Sequence, residues 1–378
     1  MKLTEAQKQN LKEHVYRSQG CSILEKIFLN RFWTWLVNMF PIWLAPNLIT
    51  FLGFIVAVSS ALSIILQDTN CKGEAPGWAM LFCAIGLFVY QTMDGCDGKQ
   101  ARRTNTCNPL GELFDHGCDA IITVLYAIAA ACTAGLVEYP YLLLTLVFTL
   151  TLCCYVYHWQ VYVCGIFYFR TIDVAEAHYA QIIALLLTFF IGPDVWHNQT
   201  LAFLGIPFPL KAMFALGTTV FAGMNLLSAT YGILTQGVGK NGSTVAGTSV
   251  VSPIITLLLI VGVAMGYALL SPSRMLETNS VLFMAAMVTP LCKSAINMML
   301  AGMVKSPFPL VDPIMIGPMI ALANVYCGAM FPELYILICI MVYNLYDVLS
   351  LCVTLCREFS DTLNVSCFTI PYKKDKAN

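Results

Sequence analysis

The chain has 378 residues, of which 58% are hydrophobic and 11% charged, with a net charge of −1. A soluble domain carries about 25% charged residues, and a polyelectrolyte partner such as nucleic acid calls for a basic excess, so both are excluded. A mean hydropathy of +0.73, with repeated apolar runs of roughly 20 residues, predicts an integral membrane protein built from helices.

The opening stretch, "MKLTEAQKQNLKEHVYRSQG", is polar and offers no apolar core to a signal peptidase, so internal helices must insert the chain. "FLNRFWTWLVNMFPIWLAP" interleaves tryptophan with aliphatic residues and predicts an amphipathic helix lying in the membrane interface. Pro41 and Pro46 end it before the first span. About ten spans follow by hydropathy and length, near 47–68, 77–98, 116–136, 140–168, 174–192, 209–235, 250–270, 278–303, 308–327 and 332–356. The expected fold is therefore all-α, a polytopic membrane helix bundle.

The sixteen cysteines do not read as a disulfide framework. Cys83, Cys132, Cys153, Cys154, Cys339 and Cys352 lie in apolar runs, where cysteine acts as a small hydrophobe. Lys99, Arg102, Arg103, Lys240, Lys305, Lys373, Lys374 and Lys376 all fall on one side if the spans alternate, and the positive-inside rule makes that side cytosolic. Both termini are then cytosolic. The sequon at Asn198 is lumenal, and those at Asn241 and Asn364 stay bare. The loop from Gly237 to Ser249 reads equally as a plain connector or as part of a substrate site.

Between the second and third spans stands "MDGCDGKQARRTNTCNPLGELFDHGCDA". Asp94 and Asp97, three apart, share one helix face, and so do Asp115 and Asp119, four apart. A short connector should bring the two helix ends together, so that the four carboxylates converge. Each carboxylate at membrane depth costs ~2.5–3.5 kcal/mol, so something must neutralise them. One answer is a salt-bridge cluster with Lys99, Arg102 and Arg103. The other is divalent cations, for which hard oxygen ligands suit Mg²⁺, Mn²⁺ or Ca²⁺, with the basic residues left for a polyanionic substrate. Two metals ~4 Å apart suit in-line displacement at phosphorus. Gly98 and Gly111 leave room for a bulky ligand beside the backbone.

The pattern D-x-x-D-G-x-x-A-R, then eight residues, then G-x-x-x-D-x-x-x-D, is filled by Asp94, Asp97, Gly98, Ala101, Arg102, Gly111, Asp115 and Asp119. It resembles the signature of the CDP-alcohol phosphotransferase family. "WLAPNLIT", "HWQVYV" and "GVGKNGSTVAGTSVVSP" extend the resemblance to the eukaryotic choline/ethanolamine phosphotransferases, through at least residue 253. The resemblance implies transfer of phosphocholine or phosphoethanolamine from CDP-choline or CDP-ethanolamine to the 3-hydroxyl of diacylglycerol, with release of CMP. It implies two Mg²⁺ ions, for which Mn²⁺ can substitute, held by the four aspartates. It also implies a phosphate contact from Arg102, beside which Lys99 is a further candidate by its charge, and an active site at the cytosolic boundary of the endoplasmic reticulum or Golgi membrane.

On that basis residues 1–46 form the N-terminus and interfacial helix, and 47–236 the catalytic core. Residues 237–357 add about four helices, as a lipid passage or homodimer contact, before the tail at 358–378. Asn47 either contacts the cytidine part or caps its helix. His116 and Asp119 compete for the role of general base. His158, Gln160 and Glu176 line the site or are buried polar residues satisfied by neighbouring helices. Tyr155, Tyr157, Trp159 and Tyr162 read as a choline box or an interfacial belt. Lys293 and Asp347 pair or line a lipid passage. The competing class is a transporter or channel with an acidic cation path, which predicts ionisable residues spread through the midplane.

Overall fold

The polar first residues fold as α1 (Glu5–Glu13), closed by a capping box in which the Thr4 and Gln7 side chains each accept from the other's backbone N–H. The computed structural model describes residues 2–196 and 209–371, so the sequon at Asn198 and Lys373, Lys374 and Lys376 lie outside the described residues. A π-helical turn (Glu25–Leu29) runs into α2 (Asn30–Val37), the expected interfacial helix, which leaves Ile27, Phe28 and Trp35 exposed. Pro46 then opens α3 (Pro46–Ile65), where its missing N–H costs nothing.

There follow α4 (Gly77–Thr104), α5 (Pro109–Ala134), α6 (Pro140–Cys164), α7 (Val174–Ile191), α8 (Leu210–Thr235) and α9 (Ile254–Leu270). The chain continues through α10 (Met275–Thr278), α11 (Ser280–Met303), α12 (Ile316–Tyr326) and α13 (Glu333–Leu363). Among the described residues eight helices, α3 to α8, α11 and α13, are long and apolar enough to cross a bilayer. α9 and α12 are shorter apolar helices, so two of the expected spans fall below that length. A two-residue strand, β1 (Ser18–Gln19), pairs in parallel with β2 (Phe167–Tyr168) and ties the N-terminal segment to the α6–α7 loop.

Small residues set the helix spacing. A methyl on Gly86 of α4 would lie 2.0 Å from Ser60 Oγ of α3, and one on Gly95 would lie 2.3 Å from the Trp33 indole. α4 is therefore pressed against α3 on one side and against the interfacial helix on the other. α5 and α11 bury most of their residues, while α8 and α13 face largely outward. One end of the bundle collects the polar segments. Leu3 N–H donates to Glu358 of α13, Asn10 Nδ2 to the Val304 carbonyl after α11, and Val238 N–H to the Val163 carbonyl of α6.

Lys293 and Asp347 pair, and Asp312 joins them. Lys293 Nζ lies 2.6 Å from Asp312 and 2.5 Å from Asp347, and Asn297 Nδ2 donates to the second Asp312 oxygen at 2.9 Å. The group closes on itself around Lys293 of α11, which is the pairing alternative. Removing the cation strands two carboxylates, so Lys293→Met should cost ~3–5 kcal/mol in chemical or thermal unfolding of the purified protein. Replacing Lys293, Asp312 and Asp347 together by apolar residues of similar size should recover most of that loss. A triple variant as unstable as the single one would contradict this account.

Candidate active site

α4 ends because Asn105 adopts the left-handed conformation (φ 58°), and α5 begins four residues later. There Asn108 Oδ1 accepts from Gly111 N–H at 3.0 Å, and Pro109 fills the first turn. The turn brings the acidic side chains of α4 and α5 together, as the spacing of the aspartates required, while α3 packs against both helices. The four acids do not stand at helix ends, however. α4 runs six residues beyond its expected end at 98, because its last turns are held by the chain after α2. Arg103 Nη1 donates to the Val37 and Phe40 carbonyls at 2.8 and 2.7 Å, and Gln100 Nε2 to those of Pro41 and Leu44 at 3.0 Å each.

Asp94, Asp97 and Asp115 each present a carboxylate oxygen within 4.8 Å of the others. Thr50 Oγ1 of α3 donates to Asp97, fixing its second oxygen. Asp115 Oδ1 is buried and finds no partner among the described residues. Asp119 stands outside this trio. The Tyr90 hydroxyl donates to its Oδ1 at 2.6 Å, and His116 Nδ1 lies 3.6 Å from its Oδ2.

The salt-bridge account of the cluster does not hold. Among the described residues no lysine or arginine forms an ion pair with Asp94, Asp97 or Asp115. Arg103 is committed to the carbonyls after α2. Lys99, expected to bind substrate, instead points toward the interfacial helix, where its Nζ donates to Asn30 Oδ1 at 3.1 Å. Three converging carboxylates and an orphaned lone pair are the donor set that a hard divalent cation takes. The residues present fit such an ion.

Beside the trio opens a cleft of about 460 Å³. Asn47, Asp97, Gly98, Arg102, Gly111, Asp115 and His116 line it. Asn47 is not a cap: the N-cap of α3 is Ala45, and Asn47 Nδ2 instead donates to Cys367 Sγ at 3.7 Å. A hydrogen bond from Cys356 pulls the Cys367 thiol below its ordinary range. A methyl on Gly98 would sit 3.6 Å from the Arg102 guanidinium, and one on Gly111 3.5 Å from Asn47 Oδ1, both ordinary contacts. The fold itself does not require these glycines, and what they keep open is the cleft. Gly111→Ala should therefore fold at least as well as the parent, by up to ~1 kcal/mol, yet raise KM for a ligand that fills the cleft. Circular-dichroism melts alongside steady-state kinetics check both halves, and an unchanged KM would count against the assignment.

On the other side of His116 lies an apolar cavity of about 450 Å³ between α5, α6, α7 and α8. His116 lines both spaces, and Asp119, Tyr90, His158 and His178 stand at the polar end of the second. The His116 ring stacks on Phe167 of β2 (centroids 5.2 Å apart, planes at 7°) and meets His158 edge-on at 5.6 Å. A cleft lined by acids and an apolar cavity thus share one imidazole.

The remaining polar candidates separate. Gln160 Oε1 accepts from Arg170 at 2.9 Å, and Glu176 caps α7 and accepts from Leu24 N–H, so both are satisfied by neighbours. Tyr155, Trp159 and Tyr162 form neither a choline box nor a belt. They are buried, and their polar atoms donate to the carbonyls of Pro253, Val250 and Ser306 at 2.9, 2.8 and 3.2 Å. Tyr157 lies under the Arg170 guanidinium at 4.0 Å. The Gly237–Ser249 loop packs on the end of α6 and does not line the cleft, which makes it a connector.

Sequence reasoning missed the two walls supplied by the chain ends. His14 and Tyr16 line one side of the cleft, and His14 Nε2 lies 2.8 Å from Glu112 Oε2. Ser366, Cys367 and Ile370 line the other, anchored by Phe368 against Phe51 and Phe114 at 5.3 and 5.5 Å. The apolar "CFTIPY" after α13, unusual in a polar tail, was the available signal. Tyr90, Thr50 and His178 carried none.

The CDP-alcohol phosphatidyltransferase family model matches residues 43–223, the stretch from just before α3 into α8. The chain is 38% identical over 373 residues to cholinephosphotransferase 1 of Rattus norvegicus, covering 98% of this chain and 92% of that protein. With cholinephosphotransferase 1 of Homo sapiens the identity is 38% over 367 residues, 97% of this chain and 89% of that one. An uncharacterized CDP-alcohol phosphatidyltransferase class-I family protein of Dictyostelium discoideum is 28% identical across 95% of the chain and 93% of its own length.

Proposed function

The chain belongs to the CDP-alcohol phosphatidyltransferase family, and we propose that it transfers phosphocholine, or phosphoethanolamine, from the CDP-alcohol to the 3-hydroxyl of diacylglycerol, giving the phospholipid and CMP. The observation that carries this reading is the meeting of the acid-lined cleft and the apolar cavity at His116. A soluble nucleotide and a bilayer lipid need separate approaches to one reacting centre, and these two spaces offer them.

Asp94, Asp97, Asp115 and Asp119 would hold two Mg²⁺ ions, with Mn²⁺ as substitute, and Asp119 would also face the imidazole. When bound, such ions neutralise the diphosphate and stabilise the departing CMP. The chain supplies the rest. Arg102 presents its planar fork to phosphate across Gly98, and Asn47 and the C-terminal wall flank the nucleotide. Asp119 orients His116 Nδ1, which leaves the opposite ring nitrogen to take the hydroxyl proton as the oxygen attacks phosphorus. Residues 47–236 carry this chemistry, and 237–357 brace it.

The cleft would face the cytosol of endoplasmic reticulum or Golgi membranes. Exposed Cys107 beside it should then be labelled by a membrane-impermeant maleimide added outside sealed microsomes, as mapped by peptide mass spectrometry. Protection of Cys107 there would invert the orientation. The deciding assay offers the purified protein diacylglycerol, Mg²⁺ and each CDP-alcohol in turn, and measures phospholipid and CMP. No transfer from either donor would end the proposal. A cation path across the membrane is not favoured, because the acids gather at one site and the Lys293 group closes on itself.

A further inference from the structure

Among the described polar side chains that line the apolar cavity, His158 alone keeps a buried atom without a partner. Tyr90 donates to Asp119, His178 Nδ1 to Gln91, and Gln181 Nε2 to the Tyr126 carbonyl at 2.9 Å. Asn225 Nδ2 donates to the Ile172 carbonyl, and Asp173 and Glu176 accept from backbone N–H groups. His158 is 6% exposed, and its Nε2 meets nothing. Buried polar atoms in folded proteins are nearly always paired, so a bare one on a cavity wall points to what fills the cavity.

The chemistry of the missing partner follows from the other ring nitrogen. Nδ1 lies 2.8 Å from the Cys154 carbonyl one turn back along α6. A carbonyl only accepts, so Nδ1 carries the proton, and the neutral ring presents Nε2 as an acceptor. The cavity therefore lacks a donor. Most of its lining is apolar, which suits a lipid that carries a hydrogen-bond donor near His116. In a diacylglycerol the two esters only accept, and the free hydroxyl is the one donor.

We propose that His158 Nε2 is the docking acceptor for the hydroxyl of the lipid substrate, an inference that rests on the proposed transfer to diacylglycerol. The His116 and His158 rings stand edge to face at 5.6 Å, so a hydroxyl bound to one lies beside the other. The hydroxyl hydrogen points at His158 in the bound state and turns to His116 as attack begins. His158 thus gains no proton. Its work is to select an alcohol over a fully esterified lipid and to fix where the oxygen waits.

The test compares binding of dioleoylglycerol with that of its 3-deoxy analogue, to the purified full chain in mixed micelles. The parent should prefer the alcohol by roughly tenfold, one hydrogen bond's worth. His158→Phe keeps a ring of similar size without the acceptor. It should lose the preference and raise KM for diacylglycerol, with KM for the CDP-alcohol unchanged. His158→Gln, which restores an acceptor, should regain much of both. If the phenylalanine variant does not fold, His158→Leu supplies an acceptor-free side chain. A phenylalanine or leucine variant that still prefers the alcohol overturns the inference. So does a parent that turns over diacylglycerol yet binds the deoxy analogue equally well. A parent inert toward diacylglycerol with either donor overturns the function beneath it instead.

Discussion

Asp94→Ala and Asp115→Ala should each cut transfer by more than ~10²-fold, the loss that removing a ligand's outer partner can itself cause. Both variants should stay folded, because each removes a like charge from a crowded group. Asp115 gives up no protein hydrogen bond through its orphaned Oδ1, whereas Asp97 would also release Thr50. The decisive readout is therefore binding rather than rate. Excess Mg²⁺ should raise the unfolding temperature of the parent protein, by about 2.7 kcal/mol of stability at a hundredfold excess over Kd, and should do nothing for either variant. Stripping with EDTA should abolish activity, and Mg²⁺ or Mn²⁺ should restore it. Calcium should restore little, because its longer and looser coordination suits a compact oxygen cluster poorly. Full activity in EDTA, or a Mg²⁺-induced shift that survives Asp94→Ala, would remove the metal from the account.

What the sequence disclosed depended on how far apart the interacting residues lie. The convergence of Asp94, Asp97 and Asp115 was legible, because helix periodicity and a short connector bring neighbours in the chain together. The placement of Lys99 and Arg103 was not. Two basic residues beside an acid cluster read as substrate contacts until residues some sixty positions upstream are seen to take them, the Asn30 side chain for Lys99 and the Val37 and Phe40 carbonyls for Arg103. The same distance hid the cleft's outer walls, built by His14 and Tyr16 from one end of the chain and Ser366 to Ile370 from the other. Hydropathy located all ten apolar segments, eight of which fold as helices of 18 residues or more. α9 and the stretch around α12 are shorter apolar helices whose outer faces, at Leu258, Leu269, Ile316 and Ile320 among others, stay exposed. His158 shows the limit best. Nothing local distinguishes a histidine satisfied at both nitrogens from one satisfied at a single nitrogen.

His116→Ala should reduce turnover by ~10²-fold or more and leave binding of the CDP-alcohol nearly unchanged. The geometry motivates this split. His116 is the residue common to the nucleotide-side cleft and the apolar cavity, so removing it opens the reacting junction without touching the walls that hold either substrate. Its ring is held by Phe167 on one face and directed by Asp119 at 3.6 Å, as a base needs when its proton-accepting nitrogen must stay in place. Asp119 itself is the competing base. Its Oδ1 is already occupied by the Tyr90 hydroxyl at 2.6 Å, and a carboxylate beside bound cations is a poor proton acceptor. Asp119→Asn should accordingly weaken Mg²⁺ dependence and nucleotide binding together, and also slow turnover by leaving the imidazole undirected. Tyr90→Phe should preserve metal binding and lose only part of the rate. Measuring kcat, KM for each substrate and the Mg²⁺ concentration dependence across the three variants separates the roles. Normal turnover in His116→Ala would pass the proton to Asp119, and the Tyr90→Phe variant would then be the one to change most.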